Sequence, residues 1–232
     1  PSPAWISHRG YAVRHAQNSL GAFRDAVRQG FSVLETDLRI TRDGQIVLAH
    51  DPTLERLCGD RRRIRTLTGE ELRRIPLPGG DRLLFFEEFA RTFAGLGWTL
   101  DIKPEHGTET VRALAEWARA SGGLRRLQER TAFLVWNRRD RRLVKRHVPA
   151  AVFYAGKREC VRAALAALAR LPAGSGIRAG RTYGLPPRVG GIPLYREPIV
   201  RYYRRRRARV LAFLPETEAD TTTEQQIQEG GS

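Results

Sequence analysis

Apolar residues along the chain fall into two alternating patterns. Short apolar or alternating stretches that stop at turn residues are typical of strands, and longer segments with apolar residues every three or four positions are typical of amphipathic helices. The strand pattern predicts seven main strands, which begin at Ala4, Ser32, Thr99, Ala132, Ala151, Thr182 and Val210. Because helical segments separate most of them, we expect parallel strands joined by crossover helices, which is an α/β fold.

Helix signals lie between the predicted strands. Asn18 and Ser19 are typical of the start of a helix, which carries Leu20, Phe23 and Val27 on one face. Further helices are predicted at residues 86–93, 108–120, 140–146, 159–170, 198–207 and 223–228. No internal repeat or linker is evident, and the length suits one α/β barrel or open sheet as well as two small domains.

Two features early in the chain interrupt this alternation. The strand at residues 32–40 returns after an Asp-Gly turn as a second strand at residues 45–49. Residues 51–78 then form a loop-rich excursion with one short helix at residues 68–74, which begins with a capping-box pattern. The excursion is the longest departure from the strand–helix rhythm.

The chain of 232 residues carries a net charge of +16, with 28% charged and 41% hydrophobic residues, which is typical of a globular protein. Only three of its 41 basic residues are lysines, and the arginines are spread along the predicted helices. Codon bias and solvated helix faces explain this excess better than a polyanion site. Nucleic acid is therefore not expected as a partner. The positive field favours anionic substrates or lipid headgroups, and peripheral membrane contact stays open.

The sequence also indicates where in the cell the protein is expected. No apolar run approaches the roughly 20 residues that a membrane span needs, and the first residues resemble neither a signal peptide nor a transit peptide. Cys58 and Cys160 are far apart and form no CxxC pair, so we expect two free thiols in a reducing compartment. These features predict a cytoplasmic protein, and a leader removed before residue 1 stays open.

Carboxylates occur in pairs with charged neighbours on two of the predicted strands. Glu35 and Asp37 are two positions apart and so point to one face, where they repel each other unless a cation lies between them. Asp101 and Lys103 have the same spacing on a later strand. Three carboxylates at strand ends offer the hard oxygen donors that Mg²⁺ or Ca²⁺ takes, so we expect a site for a divalent cation. The alternative is that the polar faces of these strands meet solvent.

Basic side chains with suitable chemistry lie close to the same strands. His8 and His50 each end a predicted strand, and two imidazoles can share the roles of proton acceptor and proton donor. Arg9 could bind a phosphate with two hydrogen bonds, and Lys103 could neutralise a phosphoryl group. The other histidines carry no motif and are expected in loops or at the surface: His15, His106 and His147.

Seven short motifs occur in one order: His8-Arg9-Gly10, Asn18, Glu35-x-Asp37, Asp43-Gly44, His50-Asp51, Leu54-x-Arg56 and Asp101-Ile-Lys103. Together they closely resemble the glycerophosphodiester phosphodiesterase family, whose fold is a TIM barrel. The clear match covers the N-terminal part of the chain, and beyond it only the strand–helix rhythm agrees. The resemblance implies a single (β/α)₈ TIM-barrel domain over residues 1–232, with the family's insertion at about residues 51–84.

The resemblance also implies roles for the candidate residues. His8 and His50 would be the acid–base pair, and Arg9 and Lys103 would contact the phosphate. The ligands of one divalent metal ion, Ca²⁺ or Mg²⁺, would be the carboxylates Glu35, Asp37 and Asp101. The substrate would be a small glycerophosphodiester or a lysolipid headgroup, and hydrolysis of the diester would release an alcohol and leave glycerol phosphate. Water attacks directly, or a glycerol hydroxyl attacks first and forms a cyclic phosphate.

Three of the departures from the family pattern concern the charged site and the closure of the barrel. Gln17 stands where the family usually has Glu, and Asp101 also stands where Glu is usual. The signature of the family's last strand is absent, so we expect the barrel to lack or truncate its eighth strand and to have an open seam. Two alternatives stay open: a phospholipase D-like or sphingomyelinase D-like enzyme that forms a cyclic product from a lipid, and a catalytically impaired barrel that acts as a binding protein.

Overall fold

The computed structural model describes residues 6–169, 176–185, 188–189 and 192–212. Contacts divide the chain into two units, Pro1–Tyr154 and Ala155–Ser232, and each is described by itself. The single domain that the sequence predicts stays a prediction. Among the described residues, no helix is both long enough and apolar enough to cross a membrane.

The first unit alternates strands with helices. Its strands are Ile6–His8 (β1), Val33–Ile40 (β2), Ile46–Leu48 (β3), Thr53–Leu54 (β4), Asp60–Arg63 (β5), Gly97–Ile102 (β6), Thr131–Val135 (β7) and Val152–Phe153 (β8). Its helices are Leu20–Arg28 (α1), Glu55–Cys58 (α2), Gly69–Arg73 (α3), Phe86–Thr92 (α4), Gly107–Ser121 (α5), Leu124–Glu129 (α6) and Arg138–His147 (α7). The main strands and helices predicted for this part of the chain are therefore present.

A mostly parallel sheet forms the centre of the first unit. Its strand order is β1-β2-β6-β7-β8 with parallel neighbours, and β3 pairs antiparallel with β2. The register places His8 beside Glu35 and Asp37 beside Asp101. Since paired positions on parallel strands point to the same side of a sheet, these side chains gather on one face.

Helix α1 packs into the main apolar cluster through a face that the sequence predicts only in part. Phe23 is fully buried and meets Phe89 of α4 edge to face, with ring centroids 5.0 Å apart. The expectation that Val27 also lies on the buried face is wrong, because Val27 is 40% exposed whereas Ala22 and Ala26 are fully buried. The buried face is centred on Ala26, so Phe23 lies at its edge and Val27 lies beyond it.

The excursion after β3 contains more regular structure than the sequence predicts. Strands β4 and β5 form a small antiparallel hairpin around α2, and α3 begins at a capping box made by Thr68 and Glu71. The hairpin is not predicted because β5 consists only of charged residues, Asp60–Arg63. Apolar residues of the excursion pack in a second cluster, which Val47 of β3 and Phe85 share. The excursion contributes Leu54, Ile64, Leu67, Leu72, Ile75 and Leu77.

Asp81 follows this excursion and connects it to the loop between β1 and α1. Its carboxylate accepts a hydrogen bond from the main-chain N–H of Ala16 at 2.7 Å and lies 3.1 Å from His15 Nδ1. On its other side, His15 Nε2 lies 3.8 Å from Asp25 of α1. His15 is a loop residue, as expected, but it links two carboxylates that the sequence does not connect.

The second unit contains the remaining described elements. These are Lys157–Leu168 (α8), Thr182–Leu185 (β9), Arg188–Val189 (β10), Ile192–Pro193 (β11), Glu197–Arg205 (α9) and Arg209–Ala212 (β12). Strands β9 and β12 pair in parallel, and the buried rings of Tyr183 and Tyr203 lie 5.4 Å apart. The two strands predicted to begin near residues 182 and 210 are thus present. The helix predicted at residues 223–228 and the position of the eighth strand lie outside the described residues.

The capping box of α3 gives a test of the excursion. Thr68→Ala removes the hydroxyl oxygen that accepts the main-chain N–H of Glu71. We expect the free energy of unfolding to fall by about 1 kcal/mol, because this N–H loses its partner at the start of the helix. Urea unfolding followed by circular dichroism measures the change. Thr68→Ser keeps the oxygen and is the matched control, so equal midpoints for the two variants would contradict the capping role.

Candidate active site

Three carboxylates lie together inside the first unit. Glu35 and Asp37 come from β2 and Asp101 comes from β6, with exposed fractions of 3%, 1% and 4%. One oxygen of each carboxylate lies within 4.8 Å of the corresponding oxygens of the other two. The structure brings this group together because Asp37 and Asp101 are paired in register, with Glu35 two positions away on the same face. We call these residues the carboxylate cluster.

Two cations lie against the carboxylate cluster. Lys103 Nζ is 2.7 Å from Asp37 Oδ1 and 2.7 Å from Asp101 Oδ2. Arg9 Nε is 3.1 Å from Asp37 Oδ2, and the main-chain N–H of Arg9 donates to Glu35 Oε2 at 3.2 Å. Both cations are themselves buried. The two residues that the sequence proposes for phosphate binding therefore contact the residues that it proposes for metal binding.

Asn18 holds Asp37 from the loop between β1 and α1. Its Nδ2 donates to Asp37 Oδ2 at 3.0 Å, and its Oδ1 accepts from Thr36 Oγ1 at 2.8 Å. The φ angle of Asn18 is +59°, in the left-handed region that asparagine tolerates better than most residues. The residue that the sequence places at the head of a helix therefore also positions a candidate metal ligand.

The carboxylates of the cluster differ in their electrostatics. Burial raises the pKa of Glu35 well above its ordinary value, and the charges of Asp37 and Asp101 raise it further. Burial also raises the pKa of Asp101, although Lys103 offsets part of the effect. At Asp37 burial acts in the same direction, but Lys103 and Arg9 outweigh it, so that the pKa of this carboxyl is lowered.

This donor set fits a hard divalent cation. Three buried carboxylates face two positive side chains, which leaves negative charge that is costly to keep away from water. Convergent carboxylate oxygens are the ligands that Mg²⁺ and Ca²⁺ prefer. A bound divalent ion would both use these ligands and offset the remaining charge, so the residues fit the ion that the sequence predicts.

His8 borders the carboxylate cluster at the end of β1. Its Nε2 lies 3.8 Å from Glu35 Oε2, and its side chain is 32% exposed. A histidine in this position meets a buried carboxyl on one side and the solvent on the other. Such an imidazole can exchange a proton with a molecule that binds over the cluster.

His50 follows β3, and its ring is held by a neighbouring carboxylate. Its Nδ1 lies 2.7 Å from Asp51 Oδ1, and the second oxygen of Asp51 accepts from Arg56 Nε at 2.7 Å. The main-chain N–H of Ala49 donates to the carbonyl of Asp37 at 3.1 Å, so His50 lies one residue from a contact with the backbone of the cluster. A partner at Nδ1 fixes the ring and leaves Nε2 as the atom for proton exchange.

Trp136 is a site residue that the sequence pattern does not reveal. Its indole Nε1 donates to Asp101 Oδ1 at 2.6 Å, although 57% of the residue is exposed. Its position directly after β7 is the only sequence signal for this role. Gln17, one of the departures from the family pattern, accepts a hydrogen bond from Arg9 Nη1 at 2.9 Å and so offers the guanidinium a neutral partner where the family usually has a negative charge.

Comparison with known proteins relates the chain to one family. Residues 8–221 match the model of the glycerophosphoryl diester phosphodiesterase family. A probable glycerophosphodiester phosphodiesterase 2 of Mycobacterium tuberculosis is 30% identical over 198 residues, which cover 82% of this chain and 70% of that protein. A human protein named lysophospholipase D is 46% identical over 54 residues, which cover 23% of this chain and 17% of that protein.

Solved structures of glycerophosphodiester phosphodiesterases have the same fold as this chain. The glycerophosphoryl diester phosphodiesterase domain of a Mycobacterium tuberculosis protein aligns with a TM-score of 0.74 at 16% identity, covering 98% of this chain and 93% of that one. A glycerophosphodiester phosphodiesterase from Agrobacterium tumefaciens aligns with a TM-score of 0.69 at 16% identity, covering 96% and 91%. Proteins of this family are TIM barrels, so the predicted fold class is confirmed.

The contact between Lys103 and two buried carboxylates gives a second test. Lys103→Met leaves Asp37 and Asp101 without the ammonium that they share. We expect the free energy of unfolding to fall by about 3 kcal/mol, because removing one partner leaves buried charge uncompensated. Urea unfolding without added divalent ions measures the change. Lys145→Met removes an ammonium at an exposed position and is the control. Adding Asp101→Asn to the Lys103→Met variant removes one of the uncompensated charges. If this double variant is no more stable than Lys103→Met alone, the charge explanation is wrong.

Proposed function

The chain belongs to the glycerophosphoryl diester phosphodiesterase family, and from this membership we propose that its carboxylate cluster is the centre of a site that hydrolyses a glycerophosphodiester to glycerol phosphate and an alcohol. The observation that carries the proposal is the set of contacts that Arg9 and Lys103 make with the three buried carboxylates, on the sheet face that also carries His8. Acidic groups for a cation and basic groups for an anion are thus combined in one place.

We propose that the carboxylate cluster holds one divalent metal ion, Ca²⁺ or Mg²⁺. Its buried and convergent oxygens support this assignment, as does the raised pKa of Glu35, because burial and the neighbouring charges of Asp37 and Asp101 disfavour its ionised form unless a cation lies close. When bound, such an ion would supply a positive charge that polarises a phosphoryl oxygen. Arg9 and Lys103 lie against the same carboxylates, which supports their proposed contact with the oxygens of the phosphodiester.

The proton transfers are assigned to His8 and His50. One imidazole accepts the proton of the attacking hydroxyl, the bond from phosphorus to the alcohol oxygen breaks, and the other imidazole donates a proton to that oxygen. The Nδ1 contact of His50 with Asp51 supports a ring that works through Nε2. The attacking hydroxyl belongs either to water or to the glycerol itself, and the second route gives a cyclic phosphate that water then opens.

Lysophospholipid is a second candidate substrate. Trp136, whose indole donates to Asp101, exposes 57% of its surface and so offers apolar area to a lipid chain beside the cluster. The human relative named lysophospholipase D adds support over a short segment. A barrel that only binds its ligand is less well supported, because all seven positions proposed for metal, phosphate and proton transfer carry suitable groups, with the carboxylate of Asp101 where Glu is usual.

Substrate turnover tests the proposal directly. We expect the purified protein to release glycerol phosphate from glycerophosphocholine with Ca²⁺ or Mg²⁺ present, and EDTA to abolish this release because the cluster then has no ion. Phosphorus NMR of the products distinguishes a cyclic phosphate from direct hydrolysis. Faster turnover of lysophosphatidylcholine would favour the second candidate. If no glycerophosphodiester is hydrolysed with either ion present, the proposed activity is wrong. If hydrolysis continues at the full rate in EDTA, the proposed role of the metal ion is wrong.

The two histidines can be tested separately from the metal site. We expect His8→Gln and His50→Gln each to lower kcat by about 100-fold or more, because each removes one proton-transfer group. Both variants should keep the rise in melting temperature that Ca²⁺ or Mg²⁺ produces in the unaltered protein, since the carboxylates remain. His147→Gln, at the end of α7, is the matched control. A variant of His8 or His50 with unaltered kcat would exclude that residue from the reaction.

A further inference from the structure

Arg39 makes an unusual contact with the main chain of His50. It lies on β2 two positions after Asp37, and its side chain is only 11% exposed. Its Nε donates to the carbonyl oxygen of His50 at 3.0 Å, and its Nη2 donates to the same oxygen at 2.6 Å. A single carbonyl thus receives two donors from one planar guanidinium, which restricts the orientation of that peptide group.

The third nitrogen of the Arg39 guanidinium makes a weaker contact, with Glu105. Its Nη1 lies 3.3 Å from Glu105 Oε2, and the same oxygen lies 3.3 Å from Nη2 of Arg63 on β5. Glu105 and Arg63 are 47% and 57% exposed in their side chains. Exposed pairs of this kind contribute little to stability, so the contact with His50 is the stronger constraint on Arg39.

The two contacts of His50 complement each other. Asp51 holds the ring at Nδ1, at 2.7 Å, while Arg39 holds the carbonyl of the same residue. A ring tethered at one nitrogen can still swing if its own backbone shifts, and a fixed backbone alone leaves the ring free to rotate. With both held, the position of Nε2 is defined.

We propose that Arg39 is a positioning residue for the reaction, which sets the place of the His50 imidazole by holding its main-chain carbonyl. The inference rests on the proposed function, in which His50 transfers a proton. Arg39 does not itself contact substrate in this assignment. A displacement of a reacting group by about 1 Å can lower a rate by about 100-fold, so a backbone clamp at this position acts on kcat.

Arg39→Gln, Arg39→Lys and Arg63→Gln together test the inference. Arg39→Gln removes both donors to the carbonyl, and we expect kcat to fall about 10-fold to 100-fold while KM for glycerophosphocholine stays within about twofold. Arg39→Lys keeps the charge but offers one ammonium in place of the fork, so it should fold normally and recover part of the rate. Arg63→Gln removes a contact with the same Glu105 without touching His50, and it should leave kcat unchanged.

A second measurement does not depend on activity. Ring signals of His50, assigned by their loss in His50→Gln, should shift or broaden in NMR spectra of Arg39→Gln and Arg39→Lys, and should be unchanged in Arg63→Gln. If the unaltered protein turns over no diester, the proposed function fails while these spectra still decide whether Arg39 holds His50. Unchanged His50 signals in both Arg39 variants would overturn the inference, whether or not kcat falls, and so would an Arg63→Gln variant that loses as much rate as Arg39→Gln.

Discussion

Negative charge shut away from water is the constraint on which the rest of the structure depends. The three carboxylates of β2 and β6 can share one buried space only because Lys103 and Arg9 lie against them. The parallel register of the two strands creates this requirement, because it brings Asp37 level with Asp101. The left-handed backbone of Asn18 helps to meet the requirement, since that conformation brings an amide donor to Asp37 from the loop after β1.

The centre of the site could be predicted from the sequence because it depends on local spacing. On a strand, positions two apart share a face, so Glu35 and Asp37 had to lie together wherever the strand was placed. Arg39 shares this face as well, but nothing in the sequence shows that it reaches the carbonyl of His50, because that contact depends on how β3 returns against β2. Trp136 was hidden for the same reason, since only the pairing of β6 with β7 brings it to Asp101.

The fold was predictable where the apolar periodicity of the sequence was strong. It was not predictable where an element has no apolar pattern and depends on strand pairing. The strands of the parallel sheet and helices such as α1, α4 and α5 follow their apolar patterns. Strand β5 consists of charged residues and exists because β4 supplies its hydrogen bonds. Helix α6, at Leu124–Glu129, is also unpredicted, since one short turn with a single buried residue, Leu127, carries no periodic signal.

The contact of Asp81 with Ala16 and His15 has a consequence for how this enzyme can diversify. The apolar residues of the excursion pack apart from the main cluster of the sheet, although Val47 of β3 joins them, so the excursion resembles a module that relatives could exchange. Yet Asp81, which follows it, holds the loop that carries Gln17 and Asn18, which in turn contact Arg9 and Asp37. An exchanged module would therefore have to bring its own acidic anchor. In this chain, a change at the Asp81 anchor would also disturb the loop that contacts the carboxylate cluster.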